Sequence, residues 1–243
     1  MAHKRYLERV YQFENAIEVE VYGTGNYGAP GERRMRRKKP TSEEMAKRNQ
    51  WRKEKKARHQ LRKYFCKNDY FVQLTYQVKD RPASMAVAKE HFRKFCRKAR
   101  AEYKKRGYDF LWLRNIEVGT KGAWHIHMIV KRIPDADIIM ADNWLYGKVV
   151  FILMYQRGEF RNLAAYITKT PRTDPRLKES SYSASRNMPL DPPKEKEYMI
   201  WKPWKKVKIP AGFQLDQETL QEGQNPFTGK RYRMYTLLRI RKR

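Results

Sequence analysis

Only two cysteines, Cys66 and Cys96, occur in 243 residues, so no disulfide framework can define the fold. That scarcity fits a reducing cytosol. No run of about 18 apolar residues is present, which excludes a membrane-spanning helix. The opening stretch MAHKRYLERVYQFE lacks the apolar core of a secretory signal. Gly and Pro, 12 of each, are scattered, which excludes collagen-like and low-complexity classes. Acidic residues are scarce: 26 Asp and Glu stand against 55 Lys and Arg, a formal net charge of +29. With 40% hydrophobic and 13% aromatic residues there is still enough to bury a core, so full disorder is excluded too.

Such a charge repels itself, and a polyanion partner relieves the repulsion. Nucleic acid is the favoured polyanion, with an anionic membrane surface as its competitor. Two basic runs carry much of the load. Residues 33–63 hold 15 Lys and Arg against three acidic residues, and residues 89–106 hold nine Lys and Arg. Candidate phosphate contacts are Arg36, Arg37, Lys38, Lys55 and Lys56 in the first run and Arg93 and Arg97 in the second. Binding through them should weaken steeply with salt. Trp51, Tyr64, Phe65, Trp201 and Trp204 lie among basic residues and are candidates for base stacking or for core packing.

Three segments follow from the pattern: a basic N-terminal arm and helix over 1–69, a central domain over 70–171, and a basic C-terminal extension with a hairpin over 172–243. Residues 16–22 alternate as a strand, and the Gly-rich stretch 23–31 reads as a loop. Thr41-Ser-Glu-Glu44 opens a helix predicted to reach about Phe65. In the central segment, 70–78 reads as a strand, with Gln73 and Thr75 on one face and Val72, Leu74 and Tyr76 on the other. Residues 84–106 read as an amphipathic helix with Val87, Phe92, Phe95, Cys96 and Ala99 on its apolar stripe. A hairpin spans 110–131, then come a short helix (135–144), a strand (148–155) and a last short helix (159–170) stopped by Pro171. The order β-α-β-β-α-β-α predicts an α+β fold: a split βαβ, ferredoxin-like antiparallel sheet with one helix added. A second hairpin is expected around Asn225–Gly229.

Trp124-His-Ile-His-Met-Ile-Val130 places His125 and His127 on the same strand face. Two neutral imidazoles so spaced can chelate one divalent ion. Glu117, on the partner strand of the hairpin, would add a carboxylate and turn the site toward Mn²⁺ or Mg²⁺. Register decides this. An even loop sets Glu117 opposite Trp124, on the wrong face. An odd loop with a bulge at Gly122 sets it opposite His125 or Ala123, and the bulged form is predicted. Downstream, Tyr166 and Lys169 are three apart on the last helix and share a face. Tyrosine can act as a nucleophile, and a nearby cation favours its phenolate.

Taken together, Gln73-Leu-Thr-Tyr76, His125-Ile-His127 and Tyr166-Ile-Thr-Lys169 resemble the three motifs of the HUH endonucleases, where U is a bulky hydrophobic residue. The chain is most similar to their single-tyrosine rolling-circle replication initiators (Rep proteins) from bacterial plasmids, phages and integrative elements. Ile17-Glu-Val-Glu20, Gly28-Ala-Pro-Gly31 and Ser185-Arg-Asn-Met-Pro189 resemble segments common in initiators of Gram-positive mobile elements. The resemblance implies an HUH palm and a metal ion on His125, His127 and Glu117. It implies Tyr166 attacking single-stranded origin DNA to give a 5′-phosphotyrosyl enzyme and a free 3′-OH, with Lys169 offsetting charge. It also implies a bacterial cytoplasmic location. No G-x-x-x-x-G-K-[ST] motif is present, so helicase work would fall to a host partner, as would polymerase work. Tyr146, Tyr155 and Tyr182 are other available tyrosines without a motif. Two alternatives stay open: a single-strand transposase or relaxase-like enzyme, and a non-enzymatic basic nucleic-acid-binding protein. The order His-x-His first and Tyr later argues against a relaxase.

Overall fold

The computed structural model describes residues 4–24, 39–119, 122–155, 159–169, 182–200, 206–225 and 229–240. Arg36, Arg37, Lys38, Trp201, Trp204 and most of the Gly-rich loop lie outside the described residues. In chain order the elements are β1 (Lys4–Gln12), β2 (Ala16–Thr24), α1 (Ser42–Tyr64), β3 (Tyr70–Thr75), α2 (Met85–Lys105), β4 (Trp112–Val118), β5 (Trp124–Val130), α3 (Ala136–Asn143), β6 (Val149–Leu153), α4 (Arg161–Thr168), β7 (Tyr182–Ala184), β8 (Lys194–Ile200), β9 (Phe213–Gln224) and β10 (Arg231–Arg239). The chain divides into two compact units, one of Met1–Arg48 with Asp191–Arg243 and one of Asn49–Leu190. The N- and C-terminal segments, read separately from the sequence, thus share a unit.

That first unit is a five-stranded antiparallel sheet in the order β8-β1-β2-β10-β9. Tyr6, Val19 and Val21 form its small core. The strand at 16–22 and the late hairpin follow the sequence reading. β1 and β8 do not appear in it, because KRYLERVYQ and KEKEYMI are dominated by charge and carry little alternation.

The second unit is α+β, with a five-stranded antiparallel sheet in the order β6-β3-β5-β4-β7. Its first four strands by sequence, β3, β4, β5 and β6, interleave as the split βαβ order predicts. Alternation along the strands divides the side chains between two layers. Val72, Leu74, Ile116, Trp124, Ile126, Met128 and Val130 face one way and join α2 and α3 in the larger core. Leu113 and Ile129 face the other way, against α1 and α4, with Ala57, Leu61, Phe65, Ala164 and Ile167. The cysteines are free, Cys66 exposed and Cys96 buried.

Local signals explain the helices. Thr41 and Glu44 form a reciprocal capping box at α1: Thr41 N–H donates to Glu44 Oε2 at 2.7 Å, and Glu44 N–H to Thr41 Oγ1 at 3.2 Å. Ser84 caps α2, accepting from Val87 N–H at 3.4 Å. The α2 stripe needs one correction. Met85, Ala88, Phe92, Phe95, Cys96, Ala99 and Tyr103 are buried, whereas Val87 is 38% exposed. Val87 sits one residue before Ala88, about 100° around the helix from the buried row.

Gly147 lies where the β3 and β6 ends converge. A Cβ there would collide with the Thr75 carbonyl group and press on the Tyr76 backbone. The obstacle is backbone and cannot swing aside. Gly147→Ala is therefore expected to destabilise the protein by about 2 kcal/mol, the scale of overpacking. Thermal unfolding followed by circular dichroism checks this, with Tm falling by about 5 °C.

Candidate metal and nucleophile site

The site is built on the α1/α4 face of the second unit's sheet. The β4–β5 hairpin pairs Glu117 with His125 and Val118 with Trp124. Beyond them Gly119 N–H bonds Ala123 O at 2.9 Å, and Gly122 N–H bonds Gly119 O at 2.9 Å. Gly122 has φ +65°, the left-handed conformation that suits glycine at a bulged hairpin end. This is the odd register, and it puts Glu117 on the imidazole face.

Glu117 Oε2 lies 3.5 Å from both His125 Nε2 and His127 Nε2. One ligand atom from each of the three residues falls within 4.8 Å of the others. His125 Nδ1 is 3.2 Å from Ala123 O. A carbonyl only accepts, so Nδ1 carries the hydrogen and Nε2 keeps its lone pair for an ion. Burial alone would raise the Glu117 carboxyl. Hydrogen bonds from His125 and His127 and the positive charge of Lys169 outweigh it and hold the carboxyl well below the usual carboxylate range. The carboxylate is thus ready as a ligand. Two imidazoles and one carboxylate form a mixed nitrogen and oxygen donor set that fits a divalent ion such as Mn²⁺ or Mg²⁺.

Tyr166 reaches the same point from α4. Its Oη lies 3.2 Å from His127 Nε2. Phe71 of β3 backs both rings, 5.6 Å from the His127 centroid and 6.0 Å from that of Tyr166. Lys169 caps the helix rather than lying within it. Its Nζ still reaches 3.4 Å from Glu117 Oε1 and 4.7 Å from the Tyr166 ring centroid. Burial and the Glu117 charge raise the Tyr166 pKa. Without an added cation the phenol therefore keeps its proton, and the phenolate expected from the sequence depends on charge brought to the site.

An eight-residue helix is marginal alone, and α4 is held at its end by side chains. Gln50 of α1 donates to Thr168 O at 3.2 Å, and Asn115 of β4 donates to Lys169 O at 3.0 Å. Both occupy carbonyls that a helix C-terminus leaves unsatisfied. Neither residue was singled out in the sequence. For Asn115 a signal exists, since it lies two residues before Glu117 on the same strand face, opposite His127. For Gln50 there is none.

The other candidate residues are placed as follows. Gln73 lies opposite His127, beside the site. Thr75 lies opposite His125, and its hydroxyl is engaged by the Lys148 backbone at 3.0 and 3.1 Å. Lys55 Nζ sits 5.3 Å over the exposed Trp51 ring. Lys56 is exposed on α1. Arg93 and Arg97 are exposed on α2, which covers the opposite sheet face, so the structure does not bring them to the site. Arg93 is paired with Glu90 at 2.7 Å. Phe65 is buried core, and Tyr64 donates to Pro189 O at 2.6 Å.

A family model described as replication-associated protein ORF2 matches residues 69–171, the stretch from β3 through α4 that carries all of these site residues. The match supports a replication-initiator family for this part of the chain. No curated protein and no solved structure matches the chain. Among the described residues, no helix is long and apolar enough to cross a membrane.

Proposed function

We propose that the protein is an HUH-type nickase and strand transferase that cuts single-stranded origin DNA to start rolling-circle replication. One observation carries the reading: the Tyr166 hydroxyl lies 3.2 Å from an imidazole nitrogen of a three-residue cluster able to hold a metal ion. A nucleophile beside a Lewis-acid site is what phosphoryl transfer to a side chain requires. The family match adds a role in replication, and the charge of +29 suits a polyanionic substrate.

His125, His127 and Glu117 would hold Mn²⁺ or Mg²⁺, and the ion would polarise the scissile phosphate. Tyr166 Oη then attacks phosphorus in line. The new bond is Oη–P, and the broken bond is P–O3′. The phenol gives its proton to solvent, and the departing 3′ oxygen takes one up. The products are a 5′-phosphotyrosyl protein and a 3′-OH that primes synthesis. Lys169 places its ammonium beside Glu117 and the Tyr166 ring, where it offsets negative charge as the phenolate and phosphoryl oxygens develop it. The phosphotyrosyl ester remains open to attack by a later 3′-OH, which regenerates Tyr166 and closes a circle. Unwinding and chain extension fall to a host helicase and polymerase in a bacterial cytoplasm.

The reading is tested by incubating the protein with single-stranded DNA from the origin beside its own gene, or from a random pool. Mn²⁺, Mg²⁺ or EDTA is added, and products are resolved on a denaturing protein gel. A covalent protein–DNA band is expected with either metal and none with EDTA. Tight binding with no band under either metal would favour a purely DNA-binding protein.

A further inference from the structure

A second cavity, of about 390 Å³, opens on the flank of the site, between α1 and the strand and turn formed by residues 182–190. Its lining includes Lys56, Gln60, Tyr182, Ser185, Arg186 and Met188. Part of this wall is Ser185-Arg-Asn-Met-Pro189, a segment singled out in the sequence to which the nicking chemistry gives no role. The wall is firmly built. Gln60 Nε2 donates to Met188 O at 3.3 Å. Lys63 Nζ and Tyr64 Oη both donate to Pro189 O, at 3.1 and 2.6 Å. Ser185 exchanges bonds with Trp112: its N–H donates to Trp112 O at 2.9 Å and its Oγ accepts from Trp112 N–H at 3.2 Å.

Two features of the lining call for a ligand. Gln60 is 2% exposed, and its Oε1 has no hydrogen-bond partner among the described residues. The bond to Met188 O requires the nitrogen on that side, so the unpartnered atom is the acceptor oxygen. A buried, unmatched acceptor is costly and is normally satisfied. At the rim, Lys56 and Arg186 are exposed, and neither forms an ion pair among the described residues. An acceptor at the bottom and two cations at the mouth complement a nucleotide: a base offering an amino group inside, phosphates outside.

The position fits the same strand of DNA. Tyr182 pairs with Asn115, which pairs with His127. Directly opposed residues share a sheet face, so the cavity and the imidazole cluster lie on one face, about 10 Å apart at two strand spacings. We infer that this cavity binds one nucleotide of the single strand flanking the nick, and that Gln60 Oε1 accepts from the exocyclic amino group of adenine or cytosine while Lys56 and Arg186 bind the adjoining phosphates. Thymine presents a carbonyl at the corresponding position and leaves the acceptor unmatched. The inference rests on the nickase reading for its substrate, and it adds a base preference that the nicking chemistry does not require.

The test uses the full chain in EDTA at fixed salt, with binding followed by fluorescence anisotropy. The probes are a thymidine 12-mer and the same 12-mer with one central adenine or cytosine. The substituted probes are expected to bind about tenfold more tightly, the scale of one buried acceptor matched or left bare. Gln60→Met should erase that difference. The double variant Lys56→Ala/Arg186→Ala, at exposed positions that spare the fold, should weaken all three probes. It should also reduce the salt slope by about 1.4, or 0.7 per lost phosphate contact. Retention of the base preference in Gln60→Met, or an unchanged slope in the double variant, overturns the inference. Free dAMP or dCMP competing as well as the 12-mers would assign the cavity to a mononucleotide instead and would likewise overturn it. Failure of the nickase reading looks different: no metal-dependent adduct in the unaltered protein, whatever the anisotropy shows.

Discussion

Tyr166→Phe is expected to abolish the covalent protein–DNA adduct while leaving single-strand affinity within about twofold, as for a partly exposed position away from the core. The ring of Tyr166 packs against Phe71 and His127, and phenylalanine keeps those contacts. What disappears is one oxygen, the atom that lies 3.2 Å from His127 Nε2. Removing a nucleophile costs orders of magnitude in rate, at least about 10⁴-fold. The denaturing-gel assay and anisotropy on the same samples separate chemistry from binding. A normal adduct yield from the variant would transfer the role to another tyrosine. Tyr155, 76% exposed, is the most accessible of those considered. Such a result would leave the metal cluster standing and remove Tyr166 from it.

The second large effect concerns the cluster itself. The unaltered protein is expected to bind one Mn²⁺ per chain, and His127→Ala or His125→Ala should weaken that binding by about 100-fold or more, beyond what loss of a supporting residue alone gives. Glu117→Ala should do the same, because its carboxylate is held in the charged form between both imidazoles. Titration of Mn²⁺ followed by electron paramagnetic resonance reads the ion directly and needs no DNA. Adduct formation should fall in parallel. If the three variants bind Mn²⁺ as well as the parent protein, these side chains are not the ligands. The close approach of Lys169 to Glu117 would then be an ordinary ion pair.

Much of this arrangement was readable from residue order. A period of two placed His125 and His127 together, and a glycine at the hairpin end decided whether Glu117 joined them. Those are local rules, and the pairing of Glu117 with His125 depends on nothing farther away than the turn. The helix-cap signals at Thr41 and Ser84 are local in the same way. What escaped the sequence depends on distant contacts. The tie from Gln50 to Thr168 spans 118 residues with no pattern at either end. Arg114 is buried against Phe92, with burial lowering its pKa to about 10, although an arginine in a strand reads as a solvent-facing residue. β1 and β8 carry too much charge to announce themselves and become strands because each finds a partner. The reach of Lys169 survives a changed premise: it lies just past the helix end, and the extended backbone there still carries its ammonium to the site.

The first sheet joins strands from opposite ends of the chain. Glu18 of β2 pairs with Thr236 of β10, so the whole second unit is made between them. On the ribosome, β1 and β2 emerge first and can form only a lone hairpin, which is marginal in water. Both of its edges stay open until β8, β9 and β10 have been synthesised. Unpaired edges are templates for association between chains, and long-range pairings close slowly. The charge that hides β1 and β8 from a sequence reader therefore has a use during synthesis: strands such as KRYLERVYQ repel their copies on neighbouring nascent chains while they wait. Nascent chains stalled after Leu190 should carry a protease-resistant second unit and a protease-sensitive N-terminal hairpin.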